Sequence, residues 1–169
     1  MYDGATAFAE ALTMSYRLNK KRKIYLSKNI HPEYIEVARN FLDSLDIKFE
    51  FFESLDQVEE GSTLAIQNPD FHGELLKGDQ AELFARSIQE KDLFLITVHP
   101  EAFALTLKPK LADLGAQISC GSAQSFGNAP YYGGAQVGFI ASKQDYVRQL
   151  PGRIIGKTTD RNGNEGLVL

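Results

Sequence analysis

The stretch Leu93-Phe94-Leu95-Ile96-Thr97-Val98 decides the fold of this chain. A short, almost continuous apolar run is typical of a strand that is buried on both faces of a parallel sheet. Outward from it, apolar runs predict further strands at 23–27, 47–52, 63–67, 116–120 and 137–141, and helical periodicity predicts helices up to about residue 18, at 32–45 and at 79–90. Strands that alternate with helices predict an α/β fold, with a mostly parallel sheet as the middle of three α/β/α layers.

Local signals mark the ends of several elements. An apolar face that repeats from Ala7 to Leu18 identifies the first helix, and Asp3 is its expected cap. Proline is favoured in the first turn of a helix, so His31-Pro32 marks the start of the second helix. Asn162-Gly163 indicates a hairpin turn near the end of the chain.

Composition limits the class of protein. The chain has 169 residues, a net charge of −4 and 43% hydrophobic residues, which suits one globular domain over 1–169. It lacks an apolar run of the ~20 residues that cross a membrane, a basic face for nucleic acid, and a second cysteine for a disulfide. We therefore expect a cytoplasmic domain without membrane or nucleic-acid partners. The chain enters a helix with no strand before it and stops inside an apolar run at 166–169, so we expect it to be truncated at both ends.

Two catalytic motifs are incomplete. The segment Ala123-Gln124-Ser125-Phe126-Gly127 follows a strand, as in a serine elbow, but Asn128-Ala129-Pro130 breaks the helix that an elbow requires. All three histidines also precede Ser125, whereas the elbow enzymes place the histidine later. The glycine-rich segment 133–138 precedes a strand instead of the helix of a dinucleotide loop, so we interpret it as a close-packed turn.

The sequence predicts no metal site. The three histidines, His31, His72 and His99, are far apart and none has a partner at i, i+4. The single cysteine, Cys120, ends a strand and is interpreted as a small buried thiol.

Polar residues follow four predicted strands in order, and the carboxyl ends of parallel strands are where such sheets bind ligands. These residues are His31, Asn68, His99 and Gln124. Gly4-Ala5-Thr6 lies at the start of the first helix, where free backbone N–H groups and the helix dipole attract an anion such as phosphate.

Several separate motifs, in order along nearly the whole chain, make the sequence similar to the P-protein of the glycine cleavage system, in particular to its non-catalytic first subunit or N-terminal half. The motifs are 2–11 (YDGATAFAEA), 27–34 with its His31-Pro32, 67–73 (QNPDFHG), 121–127 (GSAQSFG) and 146–160 (YVRQLPGRIIGKTTD).

The resemblance implies the large domain of the fold type I pyridoxal-phosphate-dependent transferases. In competent relatives, a segment resembling Gly4-Ala5-Thr6 holds the cofactor phosphate, a histidine resembling His31 stacks on the pyridine ring, and an asparagine resembling Asn68 contacts the ring hydroxyl. An aspartate keeps the ring nitrogen protonated, so that the ring serves as an electron sink, and a lysine forms the internal aldimine.

The chain departs from this pattern at the two catalytic positions. His99 stands where the aspartate is expected, and Gln124, an amide that cannot form a Schiff base, stands where the lysine is expected. We therefore expect no catalytic residue and no covalently bound cofactor in this chain, with Gly4, Ala5, Thr6, His31 and Asn68 as a vestigial cofactor site.

The function implied is participation in glycine dehydrogenase (decarboxylating), which decarboxylates glycine and passes the aminomethyl group to the lipoylated H-protein. Pyridoxal phosphate would belong to the complete enzyme, and the partner would be the catalytic P-protein subunit or half, in a homo- or hetero-oligomer. Our first candidate for the contact is Tyr131-Tyr132-Gly133-Gly134, because adjacent glycines let the backbone approach a neighbouring site closely; a purely structural turn is an equally good interpretation of this segment. A eukaryotic relative would work in the mitochondrial matrix.

Two alternatives stay open from the sequence. One is a stand-alone pyridoxal-phosphate enzyme of the aminotransferase or desulfurase kind, which would need Lys108, Lys110 or Lys143 at the cofactor. The other is a non-catalytic interaction scaffold.

Overall fold

A computed structural model describes residues 1–107, 110 and 112–169. Its helices are α1 (Gly4–Leu18), α2 (Pro32–Ser44) and α3 (Gly78–Glu90). Its strands are β1 (Ile24–Ser27), β2 (Glu50–Phe52), β3 (Thr63–Gln67), β4 (Phe94–His99), β5 (Ile118–Ser122), β6 (Gly138–Ser142), β7 (Gly156–Thr159) and β8 (Glu165–Val168). Among these described residues, no helix combines the length and the apolar character that crossing a membrane requires.

The main sheet has the strand order β2-β1-β3-β4-β5-β6. Strands β1 to β5 pair in parallel, and β6 pairs antiparallel with β5. The decisive apolar run lies at its centre: β4 pairs with β3 through Leu64↔Leu95 and with β5 through Ile96↔Ile118. The predicted mostly parallel α/β sheet is therefore confirmed. Strands β7 and β8 form a separate hairpin, closed by the turn that Asn162-Gly163 predicted.

Successive side chains of β4 face opposite layers, as strand geometry requires. Ile96 and Val98 pack in a core with α1 and α2, whereas Leu95 packs in a second core with Ile88 of α3. Each of these side chains is almost fully buried, and such burial contributes about 1.5–3 kcal/mol per side chain. The two cores place helices on both faces of the sheet, which confirms the three-layer arrangement.

The capping signals are confirmed. Asp3 is the N-cap of α1 and His31 is the N-cap of α2, with Pro32 as the first helical residue.

Two predicted strand starts are wrong by two residues or more, and β5 ends at Ser122 instead of Cys120. Strand β2 begins at Glu50 because Ile47 belongs to the end of α2. The Ile47 N–H donates to the Leu42 carbonyl at 2.9 Å, and the Ile47 side chain is buried. Strand β5 begins at Ile118 because the Gln117 side chain itself accepts the Leu95 N–H, at 2.6 Å.

Candidate functional site

The four strand-end residues follow neighbouring strands of the sheet. Because β1, β3, β4 and β5 are parallel and adjacent in that order, their carboxyl ends form one edge of the sheet. His31, Asn68, His99 and Gln124 therefore lie in that order along it. This common edge is the candidate functional site, and the paragraphs below take its positions in turn.

The start of α1 packs against β5. A Cβ on Gly4 would lie 2.0 Å from the Tyr34 hydroxyl and 2.8 Å from the Ser122 backbone nitrogen. Glycine is needed here because the helix approaches the strand too closely for any side chain. Burial also raises the pKa of the Tyr34 phenol above its usual range, so the hydroxyl stays neutral.

Asp3 occupies the two donors of Thr6 at the start of α1. Its carboxylate accepts from the Thr6 N–H at 2.7 Å and from the Thr6 hydroxyl at 2.8 Å. The Thr6 hydroxyl oxygen accepts in return from the Asp3 N–H at 3.1 Å, which completes a capping box. Two of the groups expected to hold a phosphate are thus bonded to a carboxylate of the chain, whose negative charge also disfavours an anion there.

His31 links α2 to the end of β3. Its backbone N–H donates to the Gln67 side chain at 2.8 Å, and its ring Nδ1 accepts from the Glu33 N–H at 3.3 Å. The Phe71 ring lies edge-on to the imidazole with a centroid distance of 5.0 Å. Gln67 and Phe71 were not singled out from the sequence, although both lie in one of the quoted motifs.

Asn68 is buried, and its side-chain oxygen already has a hydrogen-bond partner within the chain. The side-chain oxygen accepts from the Leu76 N–H at 3.0 Å, which holds the segment that leads to α3. The contact gives Asn68 a structural role without any ligand.

His99 ends β4 and is only 1% exposed. Neither ring nitrogen has a hydrogen-bond partner among the residues that the structure describes. Removal from water lowers the pKa of His99 to about 4, although an interaction of the ring with the Asn68 backbone acts in the opposite direction. The imidazole is therefore neutral at physiological pH and cannot replace an aspartate that holds a proton on a ring nitrogen.

A cavity of about 430 Å³ lies against Asn68 and His99. Its walls are mainly apolar, and the carboxylates of Asp70 and Glu101 also line it. Glu101 accepts from the Phe103 N–H at 3.0 Å and from the Ser125 hydroxyl at 2.5 Å, and these bonds lower its pKa. Sequence reasoning missed Asp70 and Glu101, because a single carboxylate in a loop carries no distinctive pattern.

Gln124 holds the loop that follows it. Its side-chain nitrogen donates to the backbone carbonyls of Asn128 and Ala135, at 2.9 Å each. The segment Gln124–Phe126 is a single 3₁₀ turn and not the helix of a serine elbow, and Ser125 bonds to Glu101 instead of a histidine. The glycine-rich segment continues into β6, as the turn interpretation predicts.

The stand-alone enzyme would need a lysine at this edge, but the two candidate lysines that the structure describes lie elsewhere. Lys143 follows β6, which runs antiparallel, and it lines a cavity with Gln117 at the opposite, amino edge of the sheet. Lys110 is exposed, and its carbonyl accepts the Asp113 N–H in the segment leading to that same edge. Lys108 lies outside the described residues.

Pyridoxal phosphate does not fit the described residues of this edge. Asp3 caps the Thr6 N–H and hydroxyl, the Asn68 oxygen is engaged, the imidazole of His99 is neutral, and Gln124 supplies no amine. The roles expected for Gly4, Ala5, Thr6, His31 and Asn68 stay predictions. The contacts of Gly4, Thr6, His31 and Asn68 already give these four residues a structural explanation. Cys120 is fully buried, as predicted, although it lies in the middle of β5 and does not end the strand. Burial raises the pKa of its thiol. No cluster of three potential metal ligands occurs within the part of the chain that the structure covers.

The chain is similar in sequence to one family of known proteins. The family model described as the glycine cleavage system P-protein matches residues 1–169. A probable glycine dehydrogenase (decarboxylating) subunit 1 of Parvibaculum lavamentivorans is 37% identical over 100% of this chain and 39% of that protein. A protein of the same name from Methylocella silvestris is 39% identical over the same shares. The chain thus spans about 40% of the length of these relatives.

Solved structures show the same fold. A glycine decarboxylase (P-protein) of the glycine cleavage system, in inhibitor-bound form, superposes with a TM-score of 0.81 and 32% identity over 99% of this chain and 39% of that one. A putative aspartate aminotransferase from Leishmania major superposes with a TM-score of 0.61 over 88% of this chain and 44% of that one, at 13% identity. The second match shows likeness of fold alone.

Proposed function

Because the chain belongs to the glycine cleavage system P-protein family, we propose that it forms part of glycine dehydrogenase (decarboxylating) and lacks that enzyme's Schiff-base lysine. The complete enzyme would decarboxylate glycine and pass the aminomethyl group to the lipoylated H-protein. Pyridoxal phosphate would be held by the lysine-bearing catalytic subunit or half. The complete enzyme would work in the cytoplasm, or in the mitochondrial matrix of a eukaryote.

The observation that carries this proposal is the state of Gln124. Its amide holds two backbone carbonyls of the following loop, so the position has a structural task in place of covalent chemistry. Neutral His99 and the capped start of α1 support the same conclusion, since both would weaken a bound cofactor. The chain would then serve to complete a partner's site and the oligomer.

The turn Tyr131–Gly134 is our candidate for the contact with that partner. Tyr131 and Tyr132 are 73% and 108% exposed, and tyrosine is enriched at protein interfaces. Gly134 has no room for a side chain, because a Cβ there would lie 2.7 Å from the Tyr131 carbonyl oxygen. The tight turn therefore presents both rings outward.

The first test mixes the purified chain with a catalytic P-protein subunit and measures size by light scattering after gel filtration. We expect one complex, and release of CO₂ from glycine with lipoylated H-protein only when both are present. Tyr132→Ser should weaken the complex at least tenfold, as the loss of an interface aromatic does. Leu83→Ser is the control, because Leu83 is also an exposed apolar residue, at 60%, and lies on α3 away from the turn. Separate elution would favour an interaction scaffold of another kind.

A second test addresses the stand-alone alternative. The purified chain is treated with pyridoxal phosphate and borohydride, and the peptides are analysed by mass spectrometry. We expect no stoichiometric label on one lysine. A visible aldimine band, fixed by borohydride to Lys108, Lys110 or Lys143, would overturn the non-catalytic assignment.

A further inference from the structure

We propose that Asn162 is a site of spontaneous deamidation, and that its conversion to aspartate or isoaspartate opens the β7–β8 hairpin. Neither step depends on the role in glycine dehydrogenase. Three features carry the inference: the residue that follows Asn162, the hydrogen bonds of its turn, and the isolation of the hairpin.

Asn162 has the neighbour that this reaction needs. The nucleophile in deamidation is the backbone nitrogen of the next residue, and a side chain on that residue hinders its approach. Glycine has no Cβ, and among the asparagines of the sequence only Asn162 precedes a glycine. The others are followed by lysine, isoleucine, phenylalanine, proline, alanine or glutamate. The sequence therefore favours reaction at this one asparagine.

The reaction replaces ammonia by water in two steps. Hydroxide removes the Gly163 amide proton, the nitrogen attacks the carbonyl carbon of the Asn162 side chain, and the side-chain amino group takes a proton from water and leaves as ammonia. Water then adds to the cyclic imide and breaks one of its two bonds between a carbonyl carbon and this nitrogen. Cleavage at the side-chain carbonyl gives aspartate. Cleavage at the main-chain carbonyl gives isoaspartate, in which the backbone runs through the side chain.

The turn restrains Asn162 less than its neighbour Asn164. Only the backbone N–H of Asn162 is bonded, to Asp160 Oδ1 at 2.8 Å, and its side-chain amide has no hydrogen-bond partner within the described residues. By contrast, the side-chain nitrogen of Asn164 donates to Asp160 Oδ2 at 3.0 Å. Both asparagines are exposed in the same turn, so Asn164 is an internal comparison for Asn162.

The nucleophile itself is held while the turn is closed. The Gly163 N–H donates to the Asp160 carbonyl at 3.1 Å, so the attack requires the turn to open. Strand β7 pairs only with β8, residues 157–169 are all exposed, and none of them belongs to either core. Because an isolated two-stranded hairpin is only marginally stable, we expect deamidation to proceed from a locally opened hairpin.

The product no longer fits the turn. Asp160 accepts from the side chain and the N–H of Asn164 and from the N–H of Asn162, and these bonds lower its pKa. A carboxyl group at position 162 is also ionised at neutral pH, and two like charges in one turn repel each other. Isoaspartate adds a methylene to the backbone, which displaces the Asn164 N–H from its acceptor. Either product therefore favours the open hairpin.

The test incubates the purified chain in water labelled with ¹⁸O, at neutral and at mildly alkaline pH, and analyses its peptides by mass spectrometry. We expect Asn162 to take up ¹⁸O before any other asparagine, and faster at the higher pH, because hydroxide removes the amide proton. An isoaspartyl methyltransferase should then methylate this position. The amide NMR signals of the pair Thr158 and Gly166 should move to unstructured values in the same fraction of molecules. Earlier reaction at Asn164, or hairpin signals that persist in the deamidated molecules, would overturn the proposal.

Variants separate the chemistry from the opening. Asp160→Ala removes the side-chain bonds to Asn162 and Asn164 and should speed the reaction by about tenfold, since one net hydrogen bond changes an opening equilibrium by about that factor. Asp70→Ala is the matched control, because Asp70 also accepts from the N–H groups two and four residues further on but holds a different loop. Gly163→Ser should lose the rapid reaction, even though a φ of 85° strains a serine and opens the turn. An unchanged rate in Asp160→Ala, or a fast reaction in Gly163→Ser, would refute the proposal.

Discussion

The buried imidazole of His99 should make the stability of the chain fall with acid. Its pKa drops from 6.5 to about 4 on folding, because burial disfavours the charged ring. At about pH 5 nearly all unfolded chains carry this proton, but only about one folded chain in ten does. The unfolded state therefore binds more protons, and its protonation lowers the free energy of unfolding by about 2 kcal/mol relative to neutral pH. The contribution is complete above pH 6.5 and disappears as the pH falls toward 4.

The assay is urea unfolding of the unchanged chain and of His99→Leu at several pH values between about 7.5 and 5. We expect the difference between their free energies of unfolding to move by about 2 kcal/mol in favour of the variant over that interval, while other titrating groups cancel. The control is Ile96→Val, in the same strand and equally buried, which should cost about 1 kcal/mol at every pH. A flat difference for His99→Leu would show that the imidazole is not buried in its neutral form.

Three further predictions concern packing and capping. Gly4→Ala should lower the free energy of unfolding in urea by about 3 kcal/mol, because its Cβ meets a tyrosine hydroxyl and two backbone atoms. The control Gly156→Ala meets nothing within 4 Å and should change stability by less than about 0.5 kcal/mol. Equal costs would contradict the close approach of α1 to β5. Asp3→Ala should cost about 1 kcal/mol by removing two bonds to Thr6, and a neutral result would mean that the capping box contributes nothing. The Cys120 thiol should not react with a disulfide reagent in the native chain at mildly alkaline pH, and it should react once the chain unfolds. Only the thiolate is nucleophilic, and burial raises the pKa of this thiol. Rapid reaction of the folded protein would refute its burial.

Expectations that rest on residues close in sequence agree with the structure. The cap at Asp3, the helix start at His31-Pro32, the hairpin turn at Asn162-Gly163 and the buried run around Ile96 all depend on neighbours within one or two turns. Local backbone chemistry sets such features, and the alternation of strands with helices extends them to the layers of the fold.

Where elements begin was less predictable, because tertiary contacts decide it. Ile47 looks like the first residue of a strand, but its N–H closes the end of α2. Gln117 has the pattern of an ordinary residue of β5, but its side-chain oxygen accepts a hydrogen bond from a backbone N–H of β4. Both outcomes depend on which partner lies opposite, and apolar periodicity does not encode that.

The candidate site divides in the same way. The sequence by itself determined which residues follow the parallel strands, and hence that His31, Asn68, His99 and Gln124 share one edge, because the α/β pattern sets a common strand direction. The order of the strands within the sheet came from the structure. Only the tertiary structure decided what each of them does there. Burial removes the charge from the His99 ring, and hydrogen bonds from distant segments engage Asn68 and Gln124. Solvation and hydrogen-bond partners are set by packing in three dimensions, so the chemical state of these side chains could not be read from their order in the chain.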